Sequence, residues 1–158
     1  VTRELDVRID SQAIRSDELR EAVWLSTHGA ISMFEGIVRS PNRNVEVEYL
    51  EYEAWPLQAI ETCRAILMQA SKQYDLGGAA VRHRTGRVFP GEVALGVAVS
   101  AKHRQESFQA IEFIVDAVKA EAPIWKLEVT ETGSYWEGLP QRCDWISSKP
   151  VAASEIPT

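Results

Sequence analysis

Residues 93–100, VALGVAVS, place Val93, Leu95, Val97 and Val99 at alternate positions, with Ala94, Gly96 and Ala98 between them. Side chains of a strand point alternately to its two faces, so large and small residues sort to opposite sides. The small face lets a helix lie close to the strand.

The remaining segments supply helices and further strands. LDVRI alternates over Leu5, Val7 and Ile9 and reads as a half-buried strand. Ser16 is expected to cap a helix with Asp17 and Glu18 in its first turn, an apolar face of Leu19, Val23 and Trp24, and a stop at His28-Gly29. Residues 29–38 and 45–54 read as strands joined by the loop RSPNRN. Pro56 opens a second helix through Leu57, Ile60, Cys63, Leu67 and Tyr74, which stops at Gly77-Gly78. AAVRHRTGRVF follows, then the turn PGE and the 93–100 strand.

The spacing predicts a third helix over 105–120, with Phe108, Ile111, Val115 and Val118 as its buried stripe and Pro123 barring its continuation. In IWKLEV, Trp125, Leu127 and Val129 face one way, and Ile124, Lys126 and Glu128 the other. The order β-α-β-β-α-β-β-α-β predicts an α+β domain with largely antiparallel pairing. One domain is expected over residues 1–140, and 141–158, which lacks periodicity, is expected to be a flexible tail.

The formal net charge of −6 argues against a general nucleic-acid surface, so an anionic ligand must be met by a local cluster of cations. The charged stretch VTRELDVRID and the lack of a bilayer-length apolar run predict no membrane segment and a cytoplasmic location. Two cysteines, Cys63 and Cys143, make no disulfide framework or metal-ligand pattern, and no metal or cofactor is expected.

Lys102, His103 and Arg104 fall where a strand ends and a helix begins, a position that favours anions; a phosphate site and a solvated basic turn both fit. Arg39 closes a strand next to Gly36, which allows close approach to the backbone. Lys119 complements the end of a helix and borders its apolar stripe, where partial desolvation would make it a usable acid, base or nucleophile. Lys126 shares a face with Glu128, which suits an ion pair or a site equally. No Gly-x-Ser-x-Gly elbow, Walker loop or Gly-x-Gly-x-x-Gly is present.

GAISMFEGIVR, LEYEAW, HRTGRVFPGEVALGVAVSAKHR, FIVDAVKAEAPIWKLE and SYWEG together resemble the large, catalytic subunits of molybdopterin synthase, the MoaE family, over roughly residues 29–138. The resemblance implies an α/β-hammerhead fold with an additional small antiparallel sheet. It implies sulfur transfer from the C-terminal Gly-Gly thiocarboxylate of a small ubiquitin-like subunit to cyclic pyranopterin monophosphate, forming the dithiolene of molybdopterin. A homodimer within a heterotetramer goes with it.

By the same resemblance Lys119 and Lys126 are the catalytic lysines, and Arg39, His103 and Arg104 bind substrate. Glu128 would orient or tune Lys126, and main-chain groups of Ile37, Val38 and Leu127 would line the pocket. The chain departs from the family pattern in the 40–44 loop, SPNRN. Two other readings are a non-catalytic module that captures a ubiquitin-like tail, and a phosphoesterase, which would need a nucleophile or metal-bound water that the sequence does not supply.

Overall fold

The computed structural model describes residues 4–137, so the expected 141–158 tail lies outside the described residues. The elements are β1 (Glu4–Asp10), α1 (Ser16–Glu21), β2 (Ala30–Ile37), β3 (Val47–Ala54), α2 (Pro56–Gln73), β4 (Gly78–Arg84), β5 (Gly86–Val88), β6 (Val93–Ala101), α3 (Arg104–Glu121), β7 (Ile124–Thr130) and β8 (Gly133–Glu137). They form an α+β fold with two four-stranded sheets, ordered β1-β4-β6-β2 and β5-β3-β7-β8. The second sheet is antiparallel throughout. In the first, β1 runs parallel to β4 and the other pairs are antiparallel.

Strand β6 is covered on both faces, as its alternation requires. Leu95, Val97 and Val99 join Cys63, Ile66 and Leu67 of α2 and Ala110, Ile114 and Val118 of α3 in the main core. On the small face, Ala98 meets Leu19 and Val23. A Cβ on Gly96 would come within 3.0 Å of both Ile14 Cγ2 and Leu19 Cδ2, so glycine is what admits α1 here.

Three local expectations are corrected. Helix α1 is short; Arg15 is its N-cap residue, and the Ser16 hydroxyl instead donates to Glu35. Trp24 lies past the end of α1 and is 54% exposed. In α3 the buried residues are Ser107, Ala110, Ile114, Val115 and Val118, while Phe108 is 63% exposed. The Ser107 hydroxyl sits 2.7 Å from that of Ser32 on β2, a separation too small for an aromatic ring.

Sequence patterning also missed two strand boundaries. AAVRHRTGRVF is divided at Thr85, with Gly86 at φ 76°, so β4 stays in the first sheet and β5 enters the second. The short β8 pairs with β7. Among the described residues no helix is long and apolar enough to cross a membrane.

Candidate functional site

A cavity of about 530 Å³ opens where the end of β2, the start of β6 and the end of α3 meet one face of the second sheet. Register explains the convergence on that face. Tyr52 of β3 lies opposite Lys126 of β7, which lies opposite Glu137 of β8, and Leu50 lies opposite Glu128. Directly paired residues share a face, so these five side chains are brought together although two of their strands are far apart in sequence.

Arg39, Lys119 and Lys126 all line this cavity. Lys119, in the last turn of α3, is exposed and not partly buried as the sequence suggested: Val118 beside it takes the core position, and Lys119 faces the open cavity. Its Nζ lies 5.5 Å from the centroid of the Phe34 ring, a cation–π contact that steadies the ammonium without neutralising it.

Lys126 is half-buried, and its Nζ lies 2.7 Å from Glu137 Oε2. Of the two readings left open for Lys126 and Glu128, the ion pair is not formed: the carboxylate paired with Lys126 is Glu137. Glu128 is buried and its Oε2 accepts a 2.8 Å hydrogen bond from Asn42 Nδ2. Arg39 Nη2 donates to the oxygen of the same amide at 3.2 Å, so Asn42 joins Arg39 to Glu128.

The loop that carries Asn42 is ordered by its own bonds. Asn42 and Val45 exchange two main-chain hydrogen bonds of 2.9 Å, and the intervening Arg43 and Asn44 take positive φ values of 48° and 65°. The Ser40 hydroxyl accepts from Val47 N–H at 2.9 Å and donates to Glu46 at 2.8 Å. SPNRN thus builds a defined turn.

Ile37 and Val38 line the cavity, the first exposed and the second buried. Val38 N–H already donates to Glu92 O, and its carbonyl accepts from Gly91 N–H. Leu127 is buried, on the opposite face of β7 from Lys126. His103 and Arg104 are exposed at the other end of α3, where His103 is the N-cap residue. At about 1.5 Å of rise per residue, Arg104 and Lys119 stand about 22 Å apart along the helix. One chain does not bring them together.

Four polar lining residues were not singled out from sequence: Asn42, Tyr52, His83 and Glu137. Burial, with Glu137's charge adding to it, pushes the Tyr52 hydroxyl up to about 12, so it is a neutral donor near pH 7. The Tyr52 ring meets His83 edge-on, with centroids 5.0 Å apart. His83 Nδ1 lies 2.8 Å from Arg84 O and so must carry the proton there; burial nevertheless holds the imidazole below its usual 6.5. Strand alternation contained the signal for Tyr52, whereas Glu137 becomes visible only when β8 is in register.

Three cations from separate elements, with a neutral phenol and imidazole behind them, make a pocket suited to an anionic ligand with a polar body. A family model described as MoaE protein matches residues 9–121. The chain belongs to the MoaE family.

A molybdopterin synthase catalytic subunit from Pyrococcus abyssi is 41% identical over 121 residues, which are 75% of this chain and 82% of that one. The crystal structure of molybdopterin synthase from Staphylococcus aureus superposes with a TM-score of 0.79 at 32% identity, covering 83% of this chain and 96% of that one. A complex of subunits 1 and 2 of the molybdopterin-converting factor from Helicobacter pylori has a TM-score of 0.66 at 21% identity, over 96% of this chain and 90% of that one, and shows the shared fold. The match to the MoaE model stops short of β7 and β8, which contribute Lys126, Glu128 and Glu137.

Proposed function

We propose that this MoaE chain is the catalytic subunit of a molybdopterin synthase and acts as a sulfurtransferase. It accepts the C-terminal thiocarboxylate of a small ubiquitin-like subunit ending in Gly-Gly, and passes the sulfur to cyclic pyranopterin monophosphate. Two rounds form the dithiolene of molybdopterin. The observation that carries this reading is the convergence of Lys119, Lys126 and Arg39 on one cavity from α3, β7 and the loop after β2.

Both reactants are anionic and the sulfur arrives on the partner, so the chain needs cations and an amine acid/base in place of its own thiol. Cys63 suits no such role: it is buried in the core, and burial pushes its thiol up to about 11. Lys119, the exposed amine, serves as acid/base or transient covalent group at the acyl carbon. Lys126 binds the tail and offsets developing charge, while Arg39 holds the phosphate.

Arg104, about 22 Å from Lys119 along α3, and His103 just before it reach the same substrate from a second copy of the chain. This agrees with a homodimer carrying one small subunit on each copy, as a heterotetramer in the cytoplasm. The Helicobacter pylori neighbour, described as a complex of two subunits, supports a small partner.

The test is molybdopterin formation from cyclic pyranopterin monophosphate and a thiocarboxylated small subunit. Product that requires both supports the reading, and partner binding without product reduces the chain to a tail-capture module.

A further inference from the structure

We propose that Glu137 is the positioning residue for Lys126, setting where its ammonium points and when it is released to an incoming anion. This rests on the sulfur-transfer reading and adds to it a residue with no role assigned so far.

Three observations support the assignment. Glu137 and Lys126 are directly opposed across β7 and β8, so the backbone ladder delivers the carboxylate to the ammonium. The pair is 2.7 Å apart with side-chain exposures of 31% and 35%, so solvent screens it less than an open surface pair. Glu128, the other carboxylate on this face, is taken by the Asn42 amide. The second Glu137 oxygen lies 3.9 Å from Arg43 Nη2, but the Arg43 side chain is 84% exposed and anchors it weakly.

Tyr52 flanks Lys126 on the other neighbouring strand, giving a row Tyr52–Lys126–Glu137 across β3, β7 and β8. Among the described residues, Lys119 and Arg39 form no ion pair with a carboxylate, whereas Lys126 does. An arriving anion therefore meets Lys119 and Arg39 directly, and must share Lys126 with Glu137. Removing the carboxylate leaves the pocket more positive but Lys126 less well aimed. Binding should hold or tighten while the chemical step slows.

The test compares wild type with Glu137→Gln and Glu137→Asp in two measurements. The first needs no substrate: lysine acylation by an N-hydroxysuccinimide acetate, read residue by residue by mass spectrometry. Lys126 should react several-fold faster in Glu137→Gln, with Lys119 unchanged as the internal control and Glu137→Asp intermediate. The second is sulfur transfer, where Glu137→Gln should lower kcat by about ten-fold without raising KM, and Glu137→Asp should recover part of the loss.

An unchanged Lys126-to-Lys119 labelling ratio overturns the assignment whatever the activity. So does a raised KM with unchanged kcat, or faster labelling with unaltered kinetics. Failure of wild type to make molybdopterin would instead overturn the sulfur-transfer reading, and the labelling ratio would still show whether Glu137 holds Lys126.

Discussion

Asn42 Nδ2 donates to Glu128 Oε2 at 2.8 Å, tying the loop after β2 to the middle of β7. The same amide receives Arg39, so a single side chain fixes both the loop and its arginine. Asn42→Ala strands a buried carboxylate oxygen and should cost about 1–3 kcal/mol in urea unfolding, with a raised KM as Arg39 loses its anchor. Glu128→Gln keeps an oxygen to accept the bond and should be milder than Glu128→Ala. Equal effects of the two Glu128 variants would argue against this role.

Lys119 is exposed, so Lys119→Ala should leave unfolding within about 0.5 kcal/mol of wild type. Sulfur transfer should be abolished or nearly so. Lys119→Arg retains the charge above Phe34 but supplies no usable acid or base, and should not restore activity. An active alanine variant would remove Lys119 from the mechanism.

The separation of Arg104 from Lys119 makes complementation a test of shared sites. If each site takes Lys119 from one copy and Arg104 from the other, a mixed dimer of Lys119→Ala and Arg104→Ala chains has one intact site. At a substrate level too low for Arg104→Ala to turn over, random re-association of the two proteins should then recover about a quarter of wild-type activity. Sites built within one chain would give no recovery.

Stability should fall at both ends of the pH range. His83 is held below its usual 6.5 by burial, so the unfolded chain takes up a proton first as the pH drops, and stability is lost from 6.5 downward. Cys63 and Tyr52 are pushed up from 9.0 and 10.0 to about 11 and about 12, so the unfolded chain loses those protons first as the pH rises. Urea midpoints at about pH 5, about pH 7.5 and about pH 10 should be highest in the middle. Tyr52→Phe should flatten the alkaline fall and His83→Gln the acid one; slopes indifferent to both variants would contradict this.

Gly96→Ala places a methyl 3.0 Å from Ile14 and Leu19 and should cost about 1–3 kcal/mol through displacement of α1. The cavity cations are untouched, so activity per folded molecule should persist. Undiminished stability would show that α1 yields easily.

Much of the fold was legible because β6 alternates large and small residues, dictating α2 and α3 on one face and α1 on the other. The shared face of Lys126 and Glu128 was legible too. Their partners were not, since alternation within one strand carries no information about β8 or the loop opposite, and Glu137 and Asn42 enter only through register and chain reversal. Phe108 was misplaced because apolar size was weighed without the close approach of Ser107 to Ser32. His103 and Arg104 could be recognised as candidates, but the helix between them and Lys119 had to be measured before a second copy was needed.

The most direct measurement is molybdopterin production when the purified chain is mixed with cyclic pyranopterin monophosphate and a small subunit bearing a C-terminal thiocarboxylate. The expected result is product that requires both partners and disappears with Lys119→Ala. Consumption of the cyclic phosphate without the small subunit, or binding of both partners with no dithiolene formed, would contradict it.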